Sequence, residues 1–241
     1  MDKIRLNKFI ADCGYTSRRK ADELILSSLV RVNDHVVTNP ATRVHPKHDK
    51  VEVEGKVIKL ERKRVVIALH KPRGVITTVE DEKNRKTVMD LIDIPYRVFP
   101  VGRLDRDTSG LLLLTNDGEL ANRIMHPSYE IKKEYIVETD AFLMESDIRQ
   151  IQKGMLIEGK KTSPAHIEIV DNAQGKPKYR IRIHEGFNRQ IRKMMESLGY
   201  KTIRLKRVKL GNITLGSLAP GKWRYLSHKE ILVLKKICKM R

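Results

Sequence analysis

Asp105 stands between Arg103 and Arg106, with Asp107 two residues on, in the run Arg97-Val-Phe-Pro-Val-Gly-Arg-Leu-Asp-Arg-Asp-Thr-Ser-Gly-Leu-Leu-Leu-Leu-Thr-Asn-Asp-Gly118. A carboxylate among guanidinium groups has three chemical uses to weigh. With Asp107 and Thr108 it mimics the DxDxT of phosphatases that form an aspartyl-phosphate. In that design the nucleophile ends an apolar strand, whereas here the apolar run Leu111 to Leu114 follows Asp105, and the reversed order argues against phosphoryl transfer. A metal-dependent nuclease needs converging carboxylates or imidazoles. His45, His48, His70, His126, His166 and His184 show no ligand spacing beyond His45-x-x-His48, and Cys13 and Cys238 form no CxxC pair. The expectation is therefore a site without metal. The third use is a lone carboxylate acting on a nucleobase held in a basic pocket.

Charge supports that third use. The chain has 241 residues with 49 Lys+Arg against 30 Asp+Glu, a formal net charge of +19, well beyond what solubility requires. A polyanion is the natural partner. Residues 181–241 hold 16 Lys/Arg against 3 Asp/Glu, while residues 1–60 hold 12 against 8, so the strongest positive surface belongs to the C-terminal quarter. The bland alternative, a solvated charged face, leaves so one-sided a block repelling itself. No apolar segment reaches the roughly 18 to 20 residues of a membrane span, and no apolar stretch follows Met1-Asp-Lys-Ile-Arg as a signal peptide would require. A cytoplasmic protein, monomeric and away from membranes, is expected.

The elements that must position Asp105 follow from periodicity and turn residues. Pro100 and Gly102 before it and Asp107-Thr-Ser-Gly110 after it place it on a loop ahead of a strand at Leu111 to Thr115. Upstream, Leu6, Phe9, Ile10 and Cys13 predict a short helix over residues 4–13. A second helix follows, capped by Thr16 or Ser17, with Ala21, Leu24 and Ile25 as its apolar stripe. Arg18, Arg19 and Lys20 load its first turn, where the helix dipole disfavours cations; an external phosphate would resolve the mismatch. Val30-Arg-Val32, His35-Val-Val37 and residues 49–53 read as short strands. The charged connector 59–64 puts a domain boundary near residue 62, giving a module over 1–61 and a larger domain over 62–241. In the latter, strands are predicted at 65–69, 134–138, 202–209 and 213–215, and helices at 119–125, 145–153 and 188–198. Residues 165–170 and 178–183 should form a hairpin about a Gly/Pro-containing turn. Strand pairs separated by helices without a regular βαβ rhythm indicate an α+β fold with a mostly antiparallel sheet. On the helix from Asn188, Ile191, Met195 and Leu198 share an apolar face, while Arg189, Arg192 and Lys193 cluster on another.

Two family resemblances overlie this reading. Ile4-Arg-Leu-Asn-Lys-Phe-Ile10, Ser17-Arg-Arg-Lys-Ala21 and Val30-Arg-Val-Asn33 resemble the S4 RNA-binding domain, which implies RNA contacts by Arg5, Lys8, Arg18, Arg19 and Lys20. The run from Gly102 to Gly118 resembles the signature of the pseudouridine synthases, in the group named for the small-subunit enzyme RsuA. Leu69-His-Lys-Pro-Arg-Gly74, Lys132-Lys-Glu-Tyr135 and Glu185-Gly-Phe-Asn-Arg-Gln-Ile-Arg-Lys-Met194 match the same group in the same order. The resemblance implies a metal-free, cofactor-free isomerisation of a uridine in ribosomal RNA. Asp105 would be the catalytic residue, acting as nucleophile or as general base. Arg192 would form a bidentate pair that orients it. Tyr135 would stack on the flipped base, Arg103 would contact the flipped nucleotide or its phosphate, and Ile191 would line the pocket. Asn188 and Arg189 would add RNA contacts. Arg97-Val-Phe-Pro-Val-Gly102 and Asn188-Arg-Gln-Ile-Arg192 are closer to the large-subunit, RluB/RluF-like enzymes, which implies 23S rRNA near the peptidyl-transferase centre. A 16S rRNA enzyme and a non-catalytic RNA-binding or ribosome-assembly protein are the alternatives.

Overall fold

The computed structural model describes residues 2–61, 63–170 and 175–240. Arg62, where the sequence puts the domain boundary, and residues 171–174, in the predicted hairpin turn, lie outside them. Contacts divide the chain into two compact units: Met1–Val65 with Ile94–Val98 and Asn116–Gly118, and Val66–Asp93 with Phe99–Thr115 and Glu119–Arg241.

The first unit contains β1 (Ile4–Arg5), α1 (Leu6–Asp12), α2 (Arg18–Leu26), β2 (Val30–Val32), β3 (His35–Val36), β4 (Arg43–Val44), β5 (Val51–Val53) and β6 (Lys56–Ile58). Leu6, Phe9 and Ile10 of α1 and Ala21 and Ile25 of α2 pack with Val30, Val44, Val51 and Val53. The first helix starts two residues later than its periodicity suggests, because Ile4 and Arg5 pair with Val44 and Arg43. Ser17 caps α2, its hydroxyl accepting from the Lys20 N–H at 3.2 Å. Arg18, Arg19 and Lys20 project from that first turn and are exposed, as is Arg5, while Lys8 is half-buried. Lys8 lies 3.9 Å from Asp12 one turn on.

The second unit runs through β7 (Val66–Lys71), β8 (Phe99–Pro100), β9 (Ser109–Thr115), α3 (Gly118–Met125), β10 (Lys133–Thr139), α4 (Glu145–Lys153), β11 (Leu156–Ile157) and β12 (Lys160–Lys161). It continues with β13 (His166–Ile169), β14 (Lys178–Ile183), α5 (Gln190–Ser197), β15 (Thr202–Leu210), β16 (Ile213–Thr214), β17 (Trp223–Tyr225) and α6 (His228–Ile237). The main sheet of the described residues has the order β13-β14-β10-β15-β9-β7-β17, with β16 beside β15 and β8 beside β9. It is the expected α+β, mixed and mostly antiparallel sheet: β15 with β9 is the parallel pair among antiparallel ones. The predicted 165–170/178–183 hairpin is present as β13 and β14.

Two apolar clusters stabilise the sheet. Leu120, Ala121 and Ile124 of α3 and Leu234 of α6 pack with Val66, Ala68, Leu111 and Leu113. Ile151 of α4 and Ile191, Met194 and Met195 of α5 pack with Val137, Tyr179, Ile181 and Leu205. The run Leu111 to Leu114 is fully buried and continuous rather than alternating, the pattern of a strand covered on both faces. It starts at Ser109, two residues before the predicted position, because Ser109 and Gly110 already pair with Lys206 and Arg207.

Candidate active site

Asp105 lies on the loop between β8 and β9, and this loop is held by its carbonyls. The Leu104 oxygen accepts from the Thr77 hydroxyl at 2.7 Å, and the Asp105 oxygen from the Thr108 N–H at 3.0 Å. The Arg106 oxygen accepts from the Gly74 N–H at 2.7 Å, the Asp107 oxygen from Arg192 at 3.1 Å, and the Thr108 oxygen from the Lys71 ammonium at 2.8 Å. Five consecutive carbonyls are thus satisfied, four of them from residues distant in sequence. The Asp105 carboxylate itself makes no hydrogen bond or ion pair with any described residue. A tied backbone that carries an uncommitted side chain is preorganised for a ligand.

Close packing sets the exit of the loop. Gly110 has φ +110°, and a Cβ there would overlap the Arg207 backbone oxygen and lie 2.6 Å from its nitrogen. Only glycine allows β9 and β15 to approach this closely. Arg207 is buried beside it, donating from Nε to the Leu111 oxygen at 2.7 Å.

Two differently lined cavities meet at Asp105. One is lined by Val101, Leu104, Tyr135, Ile191, Leu205 and Leu210, together with Arg103, Lys133, Asn188 and Arg189. Tyr135, on β10, is half-buried there, and its hydroxyl has no hydrogen bond to a described residue. The second cavity is lined by Arg73, Gly74, Asp105, Arg106, Asp107 and Arg189. Asp105 and Arg189 belong to both. The structure therefore brings Asp105, Arg103, Tyr135, Ile191, Asn188 and Arg189 around one space. Arg5, Lys8, Arg18, Arg19 and Lys20 belong to the other unit.

Arg192 requires a correction. The expected bidentate pair with Asp105 is absent, and the guanidinium is on Asp107 instead, 3.2 Å from Oδ2. Arg189 meets the same carboxylate at 3.3 Å. Arg192 is also buried rather than displayed on a charged face. Helical positions 191, 192, 194 and 195 all turn inward, a wider arc than the apolar residues alone indicate. Burial pulls the Arg192 guanidinium down from its ordinary value, against the attraction of Asp107.

The start of α5 also differs from the predicted Asn188. Arg189 is left-handed at φ +53°, and the helix proper begins at Gln190. The preceding loop is fastened by Glu185, which accepts from the Ser163 N–H and hydroxyl, both at 2.9 Å, and from the Gln190 amide at 2.5 Å. The Gln190 oxygen in turn accepts from the Phe187 N–H at 3.1 Å.

Sequence reasoning did not single out Lys71, Thr77, Gly74, Glu185 or Lys133 as site residues. Four of them lie in or beside motif segments, but Thr77 carries no sequence signal. Lys71 is fully buried, and burial pushes its ammonium down to about 8, opposed by Asp105 and Asp107. Lys133, donating to the His184 oxygen at 2.6 Å, is likewise pushed down to about 8 by burial, with Arg207 adding to the effect. No cluster of three or more potential metal ligands occurs among the described residues.

A model of the RNA pseudouridylate synthase family matches residues 65–197, and a model of the S4 domain matches residues 4–49. The chain belongs to the RNA pseudouridylate synthase family. It is an isomerase of RNA with an N-terminal S4 domain. Among similar pseudouridine synthases, the ribosomal large subunit pseudouridine synthase B of Bacillus subtilis is 44% identical over 96% of this chain and 95% of its own. The dual-specificity RNA pseudouridine synthase RluF of Escherichia coli is 37% identical over 97% of this chain and 79% of its own. A crystal structure of a pseudouridylate synthase matches with a TM-score of 0.70 at 31% identity, covering 96% of this chain and 99% of the other. All four segments quoted from the synthase signature fall within the matched residues 65–197.

Proposed function

We propose that this pseudouridine synthase converts a uridine of 23S rRNA, near the peptidyl-transferase centre, with Asp105 as the catalytic carboxylate. The observation that carries the role of Asp105 is its uncommitted side chain on a loop whose carbonyls from Leu104 to Thr108 are engaged, facing a cavity with Tyr135 on its wall. In the reaction the N1–C1′ bond breaks, the uracil turns, a C5–C1′ bond forms, and the C5 proton leaves while N1 regains one. Asp105 assists departure from C1′, and Tyr135 stacks on the base. Ile191 and Leu205 exclude water from the base. Arg103 contacts the flipped nucleotide. Arg192 acts one step removed, orienting the loop through Asp107. Unstacking the target costs a few kcal/mol, offset by phosphate contacts from Asn188, Arg189 and the basic turn of the S4 domain.

Ribosomal RNA as substrate is supported by the S4 domain and by the large-subunit function named for the Bacillus subtilis relative. The dual specificity named for RluF makes a second RNA target the competing reading. Mapping pseudouridines across 16S, 23S and transfer RNA from cells with and without the gene decides between them. One position lost from 23S rRNA, and restored by the wild-type gene but not by Asp105→Asn, is expected. A loss confined to 16S or transfer RNA refutes the target, and restoration by Asp105→Asn refutes the catalytic residue.

A further inference from the structure

We propose that Arg73, with Arg106 and Arg189, forms a clamp for the phosphodiester next to the flipped uridine, in the cavity on the polar side of Asp105. The inference rests on the uridine reading of the cavity that holds Tyr135. The two cavities share Asp105 and Arg189 but differ in lining: one adds an aromatic and aliphatic wall of Tyr135, Ile191, Leu205 and Leu210 to its charged groups Arg103, Lys133 and Glu185, and the other, made of three arginines, two aspartates and a glycine, has no such wall. A nucleotide has the same division, an aromatic base at one end and an anionic phosphodiester at the other. With its base on the apolar side and its phosphate on the polar side, it places the ribose at the shared residue, Asp105.

Charge makes the clamp necessary. A phosphodiester approaching the Asp105 carboxylate brings two anions together, and they repel. Arg73, Arg106 and Arg189 reverse the sign. Asp107 is occupied by Arg189 and Arg192. The two loops that carry Arg73 and Arg106 are also joined: the Gly74 N–H donates to the Arg106 oxygen at 2.7 Å, and Arg106 Nε donates to the Gly74 oxygen at 3.4 Å. Arg73 is exposed and makes no hydrogen bond or ion pair with any described residue, so its guanidinium is available as a bidentate phosphate donor.

The test is a chemical double-mutant cycle on a synthetic RNA hairpin carrying the uridine mapped as above. The full-length protein is used as wild type, Arg73→Ala and Arg73→Lys. The RNA carries a single neutral methylphosphonate on the 5′ or the 3′ side of the target. Arg73→Ala should raise KM roughly tenfold to a hundredfold, with the loss falling on KM rather than kcat, and Arg73→Lys should recover part of it. Neutralising one of the two phosphates should weaken the wild type but leave Arg73→Ala little further affected, and the responsive side identifies the clamped phosphate. The salt dependence of binding should lose about 0.7 of a slope unit for the lost contact. Additive penalties at both phosphates, or an unchanged KM, overturn the clamp. Repeating the cycle as a binding measurement on Asp105→Asn separates the two readings: an active Asp105→Asn overturns the catalytic role, whereas non-interacting penalties overturn the clamp alone.

Discussion

The first turn of α2 and the surroundings of Asp105 are both dense in cations, but they hold them differently. Arg18, Arg19 and Lys20 are exposed on a capped helix whose first turn has no acidic residue. Around Asp105, Arg189 and Arg192 converge on Asp107, Arg106 reaches back to Gly74, and Lys71 is buried under Thr108. Exposed charge attracts RNA over a distance. Tethered charge fixes the geometry of a neighbour, here a loop with one carboxylate left over. The contrast explains how a chain of net charge +19 can attract a polyanion and still hold one carboxylate, Asp105, at a defined place.

The sharpest way to break that contrast is to compare the two aspartates. Asp105→Asn should lower pseudouridine formation by roughly a thousandfold or more, measured by hydrogen release from C5-labelled RNA, with RNA affinity retained. Asp107→Asn should cost only about tenfold to a hundredfold, the size of a lost charge-assisted hydrogen bond. Equal losses would dissolve the distinction between reacting and positioning carboxylates. Next in size is Gly110→Ala, which combines a strained backbone with an overlap on Arg207 and should destabilise the protein by about 2–5 kcal/mol. Denaturant unfolding checks it, and an unaltered midpoint contradicts the close approach of β9 and β15.

A smaller effect reads the buried lysine. The folded protein releases the Lys71 proton near pH 8, whereas the unfolded chain keeps it to the ordinary 10.5. Between those values the unfolded state binds more protons, so folding is favoured as pH rises. The stability of the wild type relative to Lys71→Met should therefore be flat below pH 8 and climb toward pH 10.5. A flat difference throughout would place the ammonium in water. The smallest effect belongs to α2: replacing Arg18, Arg19 and Lys20 by alanine should reduce the salt slope of RNA binding by about 2 units. An unaltered slope would remove this turn from the RNA interface.

Much of this organisation was legible in the chain. Helix α4 and strand β14 occupy their predicted residues, β10 extends one residue further at each end, and α3 begins one residue earlier, because amphipathic periodicity reports local burial directly. Helix α6 and strand β17 were not read. Leu232, Val233 and Ile237 of α6 are exposed, so its apolar residues do not outline one face. The sequence also placed Asp105 on a loop before a strand, where the structure has it.

The amino-acid sequence by itself determined the residue types of the site, the order of its motifs, the excess of positive charge and the mostly antiparallel α+β plan. These follow from composition and from short-range periodicity, which need no knowledge of distant contacts. Only the tertiary structure decided which carboxylate Arg192 meets, that Thr77, Gly74 and Lys71 secure the loop, and that two cavities, one with an aromatic and aliphatic wall and one without, share Asp105. Those facts depend on side chains separated by tens of residues arriving within about 3 Å of one another, and hydrogen-bond geometry at that range is set by packing rather than by spacing along the chain.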